Sequence, residues 1–123
     1  MKKSLQRLLI LIAIGLGINL NAYAILPGTY TIGGTSPNYT TLSDAINALN
    51  ATGVQGGTVI FNIRSGTYTS TSWRGEITAV QNASASDRVI FQSESGNPAD
   101  VVINVPGTSS DNYIVRLNKA NYV

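Results

Sequence analysis

The sequence predicts a mainly β chain that winds as a solenoid of parallel strands, a parallel β-helix, with one capping α-helix at its N-terminal end. Three observations lead to this prediction. A short amphipathic helix with a signal at each end precedes all the strong strand patterns. The segments after it are strand after strand, with no second helical pattern. Their apolar residues recur every twelve positions, and the linkers between them are not the two-residue loops that β-hairpins favour.

The helix is predicted to begin after Thr41. Asp44 follows three residues later and completes a Thr-x-x-Asp capping box, which satisfies free backbone donors and places a negative charge at the positive end of the helix dipole. One apolar helical face then follows, formed by Leu42, Ala45, Ile46 and Leu49. Gly53 is predicted to end the helix, and a Schellman motif there would bring Val54 against Leu49. Because so short a helix is marginal alone in water, it must dock against an apolar surface.

The strand predicted over residues 58–63 is the expected partner of that helix. Val59, Phe61 and Ile63 share one face by period-two alternation, and Ile60 lies on the other face. An ordinary helix–strand pair of an α+β domain would show the same local pattern. That alternative therefore stays open.

Further strands are predicted on both sides of this pair. Residues 25–38 form a leading extended segment with a short strand at residues 30–32. The later strands are predicted at residues 76–80, 88–92, 101–105 and 113–117, with a last one starting at Tyr122. Phe91, Ile103 and Val115 are each twelve residues apart, as successive faces of a coil or strands of an antiparallel sandwich would be. The linker lengths and the helix ahead of the strands favour the coil.

Residues 1–24 have the pattern of a secretory signal peptide. Three basic residues lie among the first seven, residues 8–18 are an unbroken apolar core, and residues 22–24 match the small-x-small cleavage pattern. Eleven apolar residues are too few to span a bilayer, which needs about 20. The sequence therefore predicts a protein that is secreted or held at the cell surface, with a mature chain beginning at Ile25.

The charge balance changes when this leader is removed. The whole chain has eight Lys and Arg residues, six acidic residues and a formal net charge of +2. Without the leader, five basic and six acidic residues remain, a net charge of −1, and the arginines are scattered singly. This distribution does not favour nucleic acid or an anionic membrane surface as a partner. Since the chain has no cysteine, a hydrophobic core and not disulfides must stabilise it.

Several of these stretches resemble known exported proteins. The runs Tyr39-Thr-Thr-Leu42 and Asp44-Ala-Ile46, the strand of residues 58–63, and Gly66-Thr-Tyr68 resemble the N-terminal cap and first coil of right-handed parallel β-helix proteins of the pectin-lyase-like group. The later stretches 88–92, 95–100 and 113–123 are similar to β-helix proteins exported by Bacteroidetes, many of which carry a C-terminal sorting domain.

The resemblance implies a domain of right-handed coils over residues 39–123, with the cap helix at its start. The expected last strand would begin at Tyr122 on a bare apolar edge, which favours aggregation when it is left uncovered. We therefore expect residues 39–123 to be the cap and first coils of a longer protein, truncated at the C-terminal side.

The residue types exclude several kinds of catalytic site. With no His and no Cys, the chain has no Ser-His-Asp or Cys-His machinery, no His-ligated zinc and no thiolate site. The six acidic residues lie at least six positions apart, mostly in turns, which favours solvated loop acids over a carboxylate pair or a calcium site. Glu76 is expected to form a surface pair with Arg74. No catalytic or metal-ligating residue is predicted, and calcium in a longer protein stays open.

Trp73 and Arg74 are the candidate ligand-binding residues. They lie in a polar segment between predicted strands, where an exposed aromatic ring can stack on a sugar ring. The alternative is that the indole packs over the end of the coil. A polysaccharide or a cell-surface glycan is the expected partner, since the many Ser, Thr and Asn residues also suit hydroxyl-rich ligands.

Three functions follow as hypotheses. The first is the capping region of a secreted or cell-surface β-helix protein that binds glycans or other surface ligands, without catalysis in these residues. The second comes from the resemblance to pectate lyases and pectinesterases, and is the front part of a polysaccharide lyase, glycosidase or pectinesterase-like enzyme with its active site on later coils. The third is a small complete β-sandwich module. Clustered Asp, Arg or Lys on one strand face of a continuation would favour the second.

Overall fold

The computed structural model describes residues 23–123. The predicted signal peptide, residues 1–24, lies outside this part of the chain except for its last two residues. The elements of the described part are β1 (Gly28–Ile32), α1 (Leu42–Thr52), β2 (Val59–Ile63), β3 (Gly66–Tyr68), β4 (Gly75–Ile77), β5 (Val89–Ser93), β6 (Val101–Ile103) and β7 (Val115–Leu117). Two short 3₁₀ helices, Thr71–Trp73 and Pro98–Asp100, precede β4 and β6.

Helix α1 begins with a closed capping box. The backbone N–H of Asp44 donates to Thr41 Oγ1 at 3.2 Å, and the backbone N–H of Thr41 donates to Asp44 Oδ2 at 3.0 Å. These bonds satisfy backbone donors that the start of a helix leaves without intrahelical partners. The apolar stripe faces inward, since all its members, Leu42, Ala45, Ile46 and Leu49, are buried.

The end of α1 differs from a Schellman motif. The N–H of Gly53 donates to Leu49 O at 2.9 Å, but Gly53 has φ 67° and ψ −160°, and this ψ lies outside the left-handed helical region. The N–H of Val54 donates to Gln81 O at 3.1 Å and so does not return to the helix. The chain thus passes directly from α1 into an extended path, where Val54 forms a parallel bridge with Ile25.

All strand pairs in residues 23–123 are parallel. β1, β2 and β5 form one sheet in that order, β3 pairs with β6, and β4 pairs with β7. The strand-to-strand separation along the chain is 30 residues from Val59 to Val89 and 40 residues from Gly75 to Val115. The chain therefore visits the three sheets in one order with β2, β3 and β4, and in the same order again with β5, β6 and β7.

This order explains the twelve-residue recurrence of apolar residues. Phe91, Ile103 and Val115 lie on β5, β6 and β7, which belong to three different sheets. They are therefore not neighbours in one sheet. A sandwich built from hairpins needs antiparallel neighbours, and the strands described in residues 23–123 have none.

Several strands are shorter than the sequence predicts. β4 ends at Ile77, and the backbone N–H of the next residue, Thr78, donates to the side chain of Asn50 on the edge away from β7. β6 ends at Ile103 and β7 begins only at Val115. Tyr122 does not start a strand in the described part of the chain, although its carbonyl accepts a hydrogen bond from Val89 N at 2.9 Å.

One hydrophobic cluster joins α1 to the sheets. On β2 the alternate residues Val59, Phe61 and Ile63 are buried, as their period-two pattern predicts, while the two residues between them are partly exposed. Ile77 on β4 and Val89 on β5 belong to the same cluster. The apolar faces of the sheets and the apolar stripe of α1 therefore share one core.

Candidate functional site

Trp73, the residue expected to stack on a sugar, is buried. Its side chain is 5% exposed, and its ring stacks on Tyr68 with centroids 3.5 Å apart and an interplanar angle of 17°. Gly33 lies against the indole, since a Cβ on that glycine would be 2.8 Å from Trp73 Cη2. Of the two alternatives for Trp73, an exposed stacking platform and packing into the fold, the structure has the second, and the ring belongs to the core.

Tyr68 holds this aromatic pair in place through its hydroxyl. The hydroxyl donates to Arg64 O at 2.7 Å. Burial raises the pKa of the Tyr68 phenol, with the nearby Arg64 guanidinium acting in the opposite direction and Glu94 adding to the rise. The phenol consequently stays protonated near neutral pH and acts as a structural donor.

Arg74, the second candidate, joins two distant parts of the chain. Its Nε donates to Tyr113 O at 2.8 Å and its Nη2 donates to Pro106 O at 2.6 Å. The guanidinium carbon also lies 5.8 Å from the centroid of the Tyr113 ring. These bonds fix the start of β4 against the segment that leads into β7. Arg74 is not hydrogen-bonded to Glu76 in the described contacts, so the expected pair between them is wrong.

Glu76 instead pairs with Arg116, forty residues further along the chain. The two residues lie opposite each other on β4 and β7, and Arg116 donates to Glu76 Oε2 from both Nη2 and Nε, the latter at 2.8 Å. Asn118 Nδ2 donates to the other carboxylate oxygen at 2.6 Å. No local pattern links these residues, so sequence reasoning missed the pair; only the strand register brings them together.

The electrostatics of this cluster favour fixed charges over proton transfer. The hydrogen bond from Arg116, and to a smaller extent the one from Asn118, holds the pKa of Glu76 below its usual value. The same bond to Glu76 raises the pKa of Arg116. A general acid near neutral pH needs the opposite shift in a carboxyl group. The Arg116 guanidinium also lies 4.8 Å from the centroid of the Tyr113 ring. The outer face of β4 and β7 is thus a polar surface on which Arg116 and Asn118 are exposed and hydrogen-bonded to Glu76.

The described part of the chain contains no cluster of side chains that could bind a metal ion. Within residues 23–123, no group of three or more His, Cys, Asp or Glu side chains could hold an ion. The same residues contain no helix of the length and apolar character needed to cross a membrane.

The core opens at one end into an apolar cavity of about 140 Å³. Its walls come from α1 and from all three sheets, and include Ile46, Ile63, Ile77, Phe91, Ile103 and Leu117. Several apolar residues near this opening are exposed, among them Leu117 at 58% and Val123 at 40%. Exposed apolar side chains grouped around an apolar opening mark a surface for interaction with another segment or ligand.

On the edge of β4 that faces α1, the side chain of Asn50 hydrogen-bonds to two backbone groups. Asn50 Nδ2 donates to Glu76 O at 2.8 Å, and Asn50 Oδ1 accepts from Thr78 N at 3.1 Å. Sequence reasoning missed this residue, because Asn50 lies beside the apolar stripe and looks like an ordinary exposed helix position. The available signal was its residue type, since asparagine is a poor helix former in a helix interior.

The chain matches no family model, and comparisons with curated proteins and with solved structures also gave no match. The geometry of the sheets, the helix and the open end therefore carries the functional argument.

Proposed function

We propose that residues 39–123 are the capping region and first coils of an exported parallel β-helix protein. The observation that carries the proposal is the order of the strands: β2, β3 and β4 are followed by β5, β6 and β7, and each later strand pairs in parallel with its counterpart. Repeated passage through the same three sheets is how a solenoid stacks its coils. Helix α1 contributes its apolar stripe to the core at one end, as a terminal cap does.

The opposite end has the features of a surface on which another coil stacks. In the sheet of β1, β2 and β5, Val59 N donates to Arg88 O at 2.8 Å, and Val89 N donates to Tyr122 O at 2.9 Å. Tyr122 therefore takes the place on β5 that Arg88 takes on β2. A strand continuing from Tyr122 would set Val123 opposite Val89 and cover the apolar cavity, which Val123 already lines.

In this proposal the described residues have a structural role, and ligand binding belongs to the outer faces of the coils. Trp73 is buried, so the glycan or surface ligand expected from the sequence is assigned to the outer face of β4 and β7. Arg116 and Asn118 are exposed there, and the Arg116 guanidinium lies over the Tyr113 ring. Guanidinium and amide donors of this kind bind hydroxyl-rich and carboxylate-bearing ligands. No residue of this part of the chain is proposed as catalytic.

Paired spin labels test the winding directly, because the chain has no native cysteine. Labels in the double variant Asn62→Cys/Gln92→Cys should show strong dipolar broadening, since these residues lie opposite each other on parallel strands about 4.8 Å apart. Thr67→Cys/Val102→Cys tests the second sheet in the same way. The control, Gln92→Cys/Val102→Cys, spans two sheets and should couple weakly. Strong coupling in this control without coupling in the other two would indicate a hairpin and refute the proposal.

Isothermal titration with soluble polysaccharides tests the ligand assignment separately. Binding should weaken in Arg116→Ala and Asn118→Ala and stay unchanged in Gln92→Ala, which alters the outer face of a different sheet. Equal weakening in all three variants would contradict the assignment to the outer face of β4 and β7.

A further inference from the structure

Asn50 contacts β4 in the geometry of a neighbouring strand. In a parallel ladder, one residue of the adjacent strand donates its N–H to one carbonyl and accepts from the N–H two positions further along. The Asn50 side chain does both, because Nδ2 donates to Glu76 O at 2.8 Å and Oδ1 accepts from Thr78 N at 3.1 Å. One side-chain amide therefore replaces the peptide groups that a strand residue opposite Ile77 would offer.

These two backbone groups belong to the edge of β4 that faces away from β7. On the other edge, Gly75 N donates to Ile114 O at 2.9 Å and Ile77 O accepts from Asn118 N at 2.8 Å, so the groups of residues 75 and 77 are used by the segment containing β7. The groups of Glu76 and Thr78 point to the helix side. Without Asn50, a donor and an acceptor on this edge would lose their partners.

The Asn38 side chain and the backbone of Tyr39 together close the edge of β1. Asn38 Oδ1 accepts from Thr31 N at 2.9 Å, while the adjacent Tyr39 donates its N–H to Thr31 O and accepts from Gly33 N, both at 3.0 Å. Gly28 N donates to Thr58 O and Ile32 O accepts from Arg64 N, so the even-numbered residues of β1 bond to β2 and the backbone groups of Thr31 point away from it. An asparagine side chain thus takes part in closing each of these two strand edges.

We propose that Asn50, together with Asn38, blocks the addition of a strand from a second copy of this chain at the helix end of the sheets. Unpaired strand edges are templates for pairing with another chain. The helix itself does not explain the asparagine, because leucine or alanine is a better helix former at an interior position. The two hydrogen bonds to β4 do explain it. Strands can then be added to the sheets only at the edges of β5, β6 and β7. Such a block on association goes beyond the structural role proposed above.

The test replaces Asn50 by leucine, Asn50→Leu, in the full chain. Leucine has a similar size and a higher helix propensity, so α1 is retained while both hydrogen bonds are lost. Hydrogen exchange at the Thr78 amide should accelerate by about tenfold in the monomer, as expected when a hydrogen bond is removed. A nitroxide at Ala79→Cys, next to this edge, should then show concentration-dependent broadening between molecules that is absent when Asn50 is intact.

The matched control is Asn62→Leu with the same label at residue 79. Asn62 is an outer-face amide that accepts a bond from Gln92 at 2.9 Å and contacts no strand edge in the described hydrogen bonds. This variant should show neither faster Thr78 exchange nor new broadening. Broadening of equal strength in the control would overturn the inference, because loss of any surface amide would then suffice.

A second variant keeps the inference falsifiable if Asn50→Leu does not fold. Asn38→Ala lies outside α1 and should accelerate exchange at Thr31 N while leaving the helix signal in circular dichroism unchanged. A nitroxide at Thr29→Cys should report association at this edge. Hydrogen exchange could accelerate at both Thr78 and Thr31 while neither Asn50→Leu nor Asn38→Ala associates more than the parent chain. In that case the asparagines do not block strand addition and the proposal fails.

Discussion

Phe91 stacks on Phe61 with ring centroids 4.8 Å apart and an interplanar angle of 18°. The two residues lie opposite each other on β5 and β2, and Tyr30 lies opposite Phe61 on β1, with centroids 5.9 Å apart. One aromatic column therefore crosses three parallel strands. Phe61 is fully buried in the middle of the column, whereas Phe91 is only partly buried at its end, where the apolar cavity begins.

Removing the two rings should have unequal costs. Phe61→Ala should lower the free energy of unfolding by about 3–5 kcal/mol, the usual cost of truncating a buried phenylalanine, and Phe91→Ala should cost less than half as much. The double variant should cost less than the sum, because the second truncation finds the stacking already lost. Urea unfolding of the three variants measures this. Equal costs for the two single variants would contradict the observed order of burial.

Gly53→Ala should destabilise the chain through the junction after α1. Gly53 has φ +67°, and a Cβ there would lie 2.7 Å from the Cβ of Gln81 and also against the carbonyl of that residue. Strain and clash together should cost about 1–3 kcal/mol in urea unfolding. Gly96→Ala is the control, since Gly96 has φ +77° but open space around its Cβ position. If Gly96→Ala costs as much as Gly53→Ala, the contact with Gln81 contributes nothing.

Helix α1 lies where the sequence predicts it because its signals are local. The capping residues Thr41 and Asp44 lie three positions apart, and the apolar stripe repeats within the eleven residues of the helix. The register of Glu76 with Arg116 spans forty residues and depends on how the whole chain winds. Period-two patterns predict that residues alternate between faces, but they do not predict which distant strand is the neighbour.

Trp73 shows why a polar sequence context is a weak guide to exposure. Its neighbours Ser72 and Arg74 are polar, which suggested an exposed loop. The 3₁₀ turn of Thr71–Trp73 directs the indole inward, where Tyr68 covers its face and Gly33 leaves room at its edge. Both contacts come from residues outside the turn, so the segment alone does not determine the burial.

The fluorescence of Trp73 should report this burial. It is the single tryptophan of the chain, so its emission should be blue-shifted, resist quenching by acrylamide and shift to the red on unfolding. Added soluble glycans should not change it. Gly33→Ala should increase quenching, because the new Cβ displaces the indole. Gly28→Ala, which meets no atom within 4 Å, serves as the comparison. Strong quenching of the native protein would contradict the packing on Tyr68.

Asp87 should make the stability of the chain depend on pH. Its Oδ2 accepts from Ser84 Oγ at 2.8 Å and from Ser86 Oγ at 3.0 Å, and its Oδ1 accepts from Gly57 N at 2.6 Å. The hydrogen bonds from Ser84, Ser86 and Gly57 hold the pKa of Asp87 below the ordinary value of 3.8. The bond to Gly57 also ties the turn before β5 to the turn before β2.

Because the pKa of Asp87 is lowered by folding, the ionised carboxylate stabilises the folded state above pH 3.8. This contribution is lost as the pH falls through the lower folded pKa. Urea unfolding should therefore show Asp87→Asn less stable than the parent chain at neutral pH, with the difference shrinking below about pH 4. Asp111→Asn alters a turn with the same backbone bonds, Thr108 N to Asp111 O at 3.1 Å, and should show a smaller difference. A difference for Asp87→Asn that stays constant down to about pH 2 would mean that the carboxylate charge does not stabilise the fold.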